Sequence, residues 1–205
     1  MRALILVDLQ YDFCPGGALA VPHGDETLAV ANRVIPHFQH VVATQDWHPR
    51  NHASFSANNP GTSIGQVIQL AGNLPQVMWP AHCVQDSDGA KLRAEIDGKL
   101  EGIVQKGTDA AFDSYSGFFD NGHTNQTQLH QWLADRWVKQ VYVMGLATDY
   151  CVKFTVLDAL KLGYDVKLIE DGCRAVNLAP GDGERAIEEM RAAGAGVVES
   201  GAIGA

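Results

Sequence analysis

Residues 3–9 read ALILVDL, a run of apolar side chains that only Asp8 interrupts. A run this short and this apolar is typical of a strand that is buried on both faces of a sheet. Similar short runs recur along the chain, at Val41–Thr44, Gly102–Gln105, Val141–Met144, Val166–Ile169 and Gly196–Val198. We therefore expect six buried strands, the first of which ends at an acidic residue.

Helical patterns separate these strands. They cover Thr27–Phe38, Lys91–Leu100, Thr127–Trp137, Cys151–Leu162 and Asp182–Ala193. Pro36 is expected to bend or end the first helix, because proline disrupts helical hydrogen bonding. Strands that alternate with helices form a parallel sheet with helices on both faces. The sequence therefore predicts an α/β fold of three layers, α/β/α, in a single domain over residues 1–205.

The composition excludes several classes of protein. Of the 205 residues, 46% are hydrophobic and 19% are charged, which are globular values, unlike those of disordered or coiled-coil chains. The net charge of -9 argues against a nucleic-acid partner. No apolar run approaches the roughly 18 residues of a membrane span. Four cysteines are too few for a disulfide scaffold, and with no signal peptide we expect a cytoplasmic protein with free thiols. The composition does not indicate whether it is a monomer or a homo-oligomer.

A long irregular segment, at about residues 47–88, follows the second predicted strand. Ordered segments of this length are usually functional. It follows Asp46 directly and contains His48, His52 and His82. Asp46 and His48 lie two residues apart, so in an extended chain they point to the same side and can converge on one ion. Imidazole and carboxylate ligands suit zinc, iron or manganese. We therefore interpret the segment as a metal-binding insertion, with an ordinary loop as the alternative.

Three residues near the carboxyl ends of predicted strands are candidates for catalysis: Asp8, Lys106 and Cys151. Cys151 falls in the first turn of a helix, where the N–H groups and the helix dipole are expected to lower the pKa of its thiol. The alternative interpretation is that Cys151 is a small buried side chain with no catalytic role. Burial at a strand end is expected to raise the pKa of Asp8, which suits a general base. Lys106 either pairs with Asp8 or is an ordinary surface lysine.

Four aromatic residues flank these positions: Phe13, Trp79, Tyr115 and Tyr150. Together they would suit a pocket for a small flat substrate. Taken singly, each is equally consistent with packing in the core.

Several short motifs, in this order along the chain, resemble those of one known family. They are VDLQ-x-DF at Val7–Phe13, DWHP at Asp46–Pro49, WP-x-HC at Trp79–Cys83, KG at Lys106–Gly107, YSGF at Tyr115–Phe118 and GLATDYCV at Gly145–Val152. Together they resemble the nicotinamidases, which belong to the isochorismatase-like hydrolases. The resemblance covers the chain from about Ala3 to Glu199.

The resemblance implies a sheet with the strand order 3-2-1-4-5-6, which would bring Asp8 beside Cys151. It implies that Cys151 is the nucleophile, that Asp8 is the general base and that Lys106 holds Asp8. It also implies a cis peptide bond between Leu146 and Ala147, with the oxyanion bound by the N–H groups of Ala147 and Cys151. The substrate would contact Phe13, Trp79, Tyr115, Leu146 and Tyr150.

The same resemblance implies a metal ion held by Asp46, His48 and His82, with His52 as a less secure ligand. Zinc is the first expectation, with iron or manganese as alternatives. The activity implied is hydrolysis of nicotinamide to nicotinic acid and ammonia, and of pyrazinamide, through a thioester, with the metal on the pyridine nitrogen. Two alternatives stay open: a related cysteine hydrolase of N-carbamoyl or ureido compounds, and a metal-dependent hydrolase in which Cys151 is inert.

Overall fold

A six-stranded parallel sheet forms the centre of the molecule, which the computed structural model describes over residues 1–204, with the side chains of residues 97–99 excepted. The strands in chain order are β1 (Arg2–Val7), β2 (His40–Asp46), β3 (Val67–Gln69), β4 (Pro75–Val77), β5 (Gly102–Lys106), β6 (Gln140–Leu146), β7 (Asp165–Arg174) and β8 (Gly196–Val198). The central sheet has the order β5-β2-β1-β6-β7-β8, and every neighbouring pair in it is parallel. Counted along the chain this is 3-2-1-4-5-6, so the predicted α/β fold and its strand order are confirmed.

Four α-helices flank the sheet: α1 (Glu26–Val34), α2 (Leu129–Asp135), α3 (Lys153–Lys161) and α4 (Asp182–Ala192). The first ends before Pro36, as predicted, and a 3-10 turn at Ile35–His37 follows it. The α-helix predicted at Lys91–Leu100 is wrong, because the backbone there forms a 3-10 helix at Ala94–Lys99. This segment contains Gly98, a residue that disfavours an α-helix.

The interior of the sheet explains the apolar run at the start of the chain. Residues 3–7 of β1 are fully buried, because helices cover both faces of a parallel sheet. β1 and β6 are neighbours, with Val7 paired to Gly145. Gly145 has φ 130°, and a Cβ atom there would lie 2.2 Å from the Val7 carbonyl oxygen, so only glycine fits. This close approach brings Asp8 to the turn that carries Cys151, where the strand order reverses.

The segment at about residues 47–88 contains the short antiparallel hairpin of β3 and β4, with Val67 opposite Val77. The rest of it is irregular apart from two 3-10 turns. The sequence pattern did not predict this hairpin, because strands of three residues are too short to show an alternation. Nowhere in residues 1–204 does a helix have the length and apolar character needed to cross a membrane.

Candidate active site

Asp8 follows β1 directly and is fully buried. Its backbone is left-handed, with φ 50°, a conformation that aspartate adopts more readily than most residues. The Thr44 hydroxyl, on neighbouring β2, donates to Asp8 Oδ1 at 2.6 Å and accepts the Asp8 backbone N–H at 3.2 Å. Burial raises the pKa of Asp8, against the opposing charge of Lys106. Asp8 is therefore a fixed carboxylate with an increased affinity for a proton.

Lys106 ends β5, and its side chain is fully buried. Its Nζ donates to Asp46 Oδ1, to the Ser114 carbonyl at 2.8 Å and to Cys151 Sγ at 3.4 Å. It also lies 2.9 Å from Asp8 Oδ2, but in an orientation that leaves this oxygen without a hydrogen bond among the described residues. Burial would lower the pKa of Lys106, but the carboxylates of Asp46 and Asp8 raise it well above the usual range. Lys106 is thus a buried cation, and the surface-lysine alternative is wrong.

Cys151 lies in a helical turn, Thr148–Val152, between β6 and α3. The turn is wound as a π-helix, in which the Val152 N–H donates to the Ala147 carbonyl at 3.1 Å. Such turns are frequent at functional sites. Burial raises the pKa of Cys151 well above its ordinary value, and the charge of Lys106 opposes this only in part. The raised pKa runs against the expectation from the helix start: burial is the largest cause, and the carboxylates of Asp8 and Asp46 add to it.

The raised pKa favours the neutral thiol of Cys151, which lies beside a base. Ligand atoms of Asp8, Asp46 and Cys151 all lie within 4.8 Å of one another. The Asp8 Oδ2 atom, which has no hydrogen bond among the described residues, can accept a proton. This arrangement suits the transfer of the thiol proton at the moment of attack, rather than a thiolate formed in advance.

The peptide bond between Leu146 and Ala147 is cis, as the resemblance implies. Ala147 immediately precedes the turn of Thr148–Val152, and Cys151 is the fourth residue of that turn. N–H groups in the first turn of a helix have no partner within the helix and can bind an oxyanion. Leu146 is fully buried and is not among the residues that line the cavity beside Cys151.

A metal-ligand set adjoins this group. Asp46, His48 and His82 each offer a ligand atom within 4.8 Å of the others, and all three residues are buried. The Nδ1–H groups of the two histidines donate to backbone carbonyls, of Gly107 and Pro80, at 2.8 Å each. Because a carbonyl only accepts, each Nε2 carries the lone pair in the neutral imidazole, which is the form that binds a metal ion. These Nε2 atoms lie 3.4 and 3.7 Å from Asp46 Oδ2.

One unpaired atom of this set fits a cation. His48 Nε2 is buried and has no hydrogen bond among the described residues, which a bound metal ion would remedy. The lysine–glycine motif contributes here too. Gly107 has φ 63°, and a Cβ atom there would lie 2.4 Å from the His48 ring. Only glycine therefore lets the imidazole reach the Gly107 carbonyl that orients it.

His52 lies beside this set rather than within it. Its ring packs on His48, with centroids 4.2 Å apart, but its ligand atom groups with His48 and Asp113. Its Nδ1 accepts the Ser54 N–H at 3.3 Å, which leaves Nε2–H to donate to the Phe112 carbonyl at 3.4 Å. Burial lowers the pKa of His52 to about 4. In this tautomer neither nitrogen offers a lone pair to the ion that the other three residues would hold.

A cavity opens in front of Cys151. Most of its walls are apolar or aromatic, and the set of lining residues is Phe13, Leu19, Val21, Asp46, Trp79, His82, Asp113, Tyr115, Ala147, Tyr150, Cys151 and Val176. It therefore contains all four aromatic residues expected to contact a substrate. The Trp79 indole N–H donates to the Tyr115 hydroxyl at 3.1 Å, which fixes both rings. A small ring-shaped molecule in this cavity would lie between Cys151 and the metal ligands.

The sequence does not predict a role at the site for three buried polar residues: Gln10, Thr44 and Asp113. The Gln10 side-chain amide both accepts the Asp46 N–H and donates to the Asp46 carbonyl, at 2.8 Å each. It thereby holds the backbone of a metal-ligand candidate. Asp113 accepts from Gln76 at 2.9 Å and lines the cavity. Gln10 belongs to the VDLQ motif, which was the available signal, whereas Asp113 stands in no motif.

Comparison with known proteins agrees with the fold and with the family resemblance of the sequence motifs. Residues 2–202 match the isochorismatase domain family. The chain is 55% identical over 199 residues to a nicotinamidase of Escherichia coli, covering 95% of this chain and 92% of the relative.

Two solved structures are also similar. One is a nicotinamidase and pyrazinamidase of Acinetobacter baumannii, with a TM-score of 0.93, 41% identity and coverage of 98% of this chain and 96% of the other. The second is a pyrazinamidase of Pyrococcus horikoshii in complex with zinc, with a TM-score of 0.79, 40% identity and coverage of 97% and 98%.

Proposed function

The chain belongs to the isochorismatase domain family, and from this premise we propose that it hydrolyses nicotinamide to nicotinic acid and ammonia. The 55% identity to a nicotinamidase over nearly the whole chain supports this substrate. One structural observation carries the mechanism: a buried thiol, a carboxylate with one oxygen that accepts no hydrogen bond among the described residues, and a buried lysine meet beside a cavity with aromatic walls.

Asp8 is the general base in this proposal. Its Oδ2 removes the thiol proton of Cys151, and the sulfur attacks the amide carbonyl as the proton leaves. Lys106 stabilises the negative charge on both groups, because its Nζ lies 2.9 Å from Asp8 Oδ2 and 3.4 Å from Cys151 Sγ. The raised pKa of Asp8 makes it a better proton acceptor than an exposed carboxylate.

The oxyanion that forms binds the backbone N–H groups of Ala147 and Cys151. Loss of one such donor typically costs on the order of 10²–10³ in rate. When the intermediate collapses, Asp8 returns its proton to the amide nitrogen, ammonia leaves and a thioester with Cys151 remains. Asp8 then takes a proton from water, and the water oxygen attacks the thioester carbonyl. As the bond to sulfur breaks, Asp8 passes this proton to Cys151, which releases nicotinic acid and restores the thiol.

Asp46, His48 and His82 would hold the metal ion. Zinc suits one carboxylate and two imidazoles, and a related pyrazinamidase has been solved with zinc. When bound, the ion would offer a coordination position to the pyridine nitrogen, which would orient the ring. Phe13, Trp79, Tyr115 and Tyr150 enclose that ring, and pyrazinamide, which also has a ring nitrogen, is expected to be a second substrate.

The decisive experiment measures ammonia release by the purified protein from nicotinamide, pyrazinamide and an N-carbamoyl amino acid. We expect turnover of the first two. Cys151→Ala should abolish it, whereas Cys14→Ala, which removes another buried free cysteine, should not. Preferential turnover of the carbamoyl compound would identify a ureido hydrolase instead. Full activity of Cys151→Ala would sink the thioester mechanism and favour metal-dependent hydrolysis.

The setting of this reaction is also a proposal. All four cysteines are buried and free, which suits a reducing compartment such as the cytoplasm. A small molecule is the partner that the cavity fits.

A further inference from the structure

One wall of the cavity is built by a loop that is remote from the catalytic residues in sequence. Val176 lines the cavity and lies between β7 and α4. The neighbouring Asn177 has a left-handed backbone, with φ 53°, and its Oδ1 accepts the Gly183 N–H of α4 at 2.9 Å. This side chain therefore anchors the loop at its α4 end.

A second anchor comes from the turn of the nucleophile. Asp149 is buried, and its two carboxylate oxygens accept consecutive backbone N–H groups, of Val176 at 2.9 Å and of Asn177 at 2.8 Å. Asp149 stands two residues before Cys151 in the same helical turn. The carboxylate therefore ties the backbone of a cavity wall directly to the backbone that presents the nucleophile.

From this connection we propose that Val176 determines which ring substituents the cavity accepts, and that Asp149 is the positioning residue that holds Val176 against the turn of Cys151. The inference rests on the proposed hydrolysis of nicotinamide and extends it to the selectivity of the same site. It assigns a role to a buried carboxylate that the chemical steps do not use.

The two hydrogen bonds from the loop backbone to the Asp149 carboxylate are the reason why we expect Asp149 to hold Val176 in position. A carboxylate offers two acceptors to two N–H groups, whereas the amide of asparagine offers one acceptor and places an NH₂ group against the other N–H. Asp149→Asn therefore loses one bond and introduces a donor–donor contact, which releases one end of the loop. Val176→Ala shortens the same wall without moving it.

The test compares kcat/KM for nicotinamide with kcat/KM for nicotinamides methylated at each ring carbon in turn. We expect Val176→Ala to raise the methyl-to-nicotinamide ratio about tenfold for at least one isomer, the size of effect that one methyl group has in an apolar pocket. Asp149→Asn should raise the ratio for the same isomer, severalfold. Asn177→Gly, which keeps the left-handed backbone and removes the other anchor, should act in the same direction and serves if Asp149→Asn does not fold.

A double-mutant cycle separates positioning from a general effect. Asp149→Asn combined with Val176→Ala should change the ratio by less than the product of the single effects. Leu19→Ala is the matched control, because Leu19 lines the cavity from another loop, so its effect should multiply with that of Asp149→Asn.

Two results would overturn the proposal. In the first, Val176→Ala changes kcat/KM for all substrates by one common factor. In the second, Asp149→Asn or Asn177→Gly lowers only the melting temperature and leaves the ratio unchanged. A wild-type protein that releases no ammonia from nicotinamide would instead refute the proposed function, and this inference with it.

Discussion

Lys106 Nζ donates a hydrogen bond to Asp46 Oδ1, so the lysine at the end of β5 contacts a metal-ligand candidate as well as the proposed base. The sequence and the family resemblance pair Lys106 with Asp8 alone. In the structure one buried cation stands between two buried carboxylates, Asp8 and Asp46. The nucleophile group and the metal-ligand set therefore share a charge, and we expect a change at Lys106 to affect both.

Lys106→Met should impair catalysis and metal binding together. Removing the cation leaves two buried carboxylates without their lysine ion pair, a change that typically costs about 3–5 kcal/mol. We expect turnover to fall at least a hundredfold and the metal content, measured by elemental analysis, to fall as well, because Lys106 no longer holds Asp46 in place. Lys91→Met is the control, since Lys91 forms an exposed ion pair with Asp88. Normal metal content in an inactive Lys106→Met protein would show that the two sites are independent.

Thr44→Val should lower kcat while Thr44→Ser stays close to wild type. Valine matches the shape of threonine but cannot donate to Asp8 Oδ1 or accept the Asp8 N–H. Serine keeps both bonds. The measurement is kcat and KM for nicotinamide. We expect Thr44→Val to lower kcat about tenfold or more, since a hydrogen bond to an ionised group contributes about 1.5–3 kcal/mol. Equal losses in the two variants would mean that Thr44 only packs.

His82→Ala and His52→Ala should differ in metal binding. The Nε2 lone pair of His82 faces Asp46, whereas the hydrogen bonds of His52 point both of its nitrogens elsewhere. We expect His82→Ala to lose bound metal, and His52→Ala to retain at least half of the wild-type stoichiometry after dialysis. Treatment of the wild type with a chelator should reproduce the His82→Ala activity, and added zinc should reverse it. Complete metal loss from His52→Ala would make His52 a direct ligand.

Cys173 should make the protein less stable at alkaline pH. Burial raises the pKa of this thiol from 9.0 to about 12. Since the folded state holds the proton more tightly than the unfolded state, the stabilisation is complete below pH 9 and is lost as the pH rises towards 12. The effect is at most about 4 kcal/mol. Urea denaturation at pH 8 and pH 10.5 should show a lower free energy of unfolding at the higher pH, and Cys173→Ala should reduce this difference. A difference as large in the variant as in the wild type would contradict the prediction.

The fold could be predicted from sequence because its signals are local. The run at residues 3–9 is apolar except for Asp8, since both faces of β1 are covered, and the turn of Cys151 follows a similar run. At Ala94–Lys99 the pattern predicts an α-helix where the structure has a 3-10 helix, because a few apolar residues at helical spacing do not distinguish the two kinds of helix. The strand order came from the family resemblance rather than from the pattern.

The site was only partly predictable, because its remaining features depend on three-dimensional contacts. Position at a helix start suggested a lowered pKa for Cys151, whereas its depth in the fold raises that pKa. Thr44 ends a predicted strand and looks like any strand residue until β1 is placed beside it. Asp113 and Val176 reach the cavity from separate loops, and nothing in their sequence neighbourhoods marks them.

The candidate metal ligands stand on either side of the β3–β4 hairpin, with Asp46 and His48 before it and His82 after it. An ion bound by all three residues would close the intervening chain into a loop. A cross-link of this kind reduces the entropy of the unfolded chain, and the reduction is larger for a longer loop. The resistance of this segment to proteases would then vary with the concentration of free metal, through mass action on the folded state. Cells short of the metal would accordingly hold less of the intact protein, in addition to a less active one.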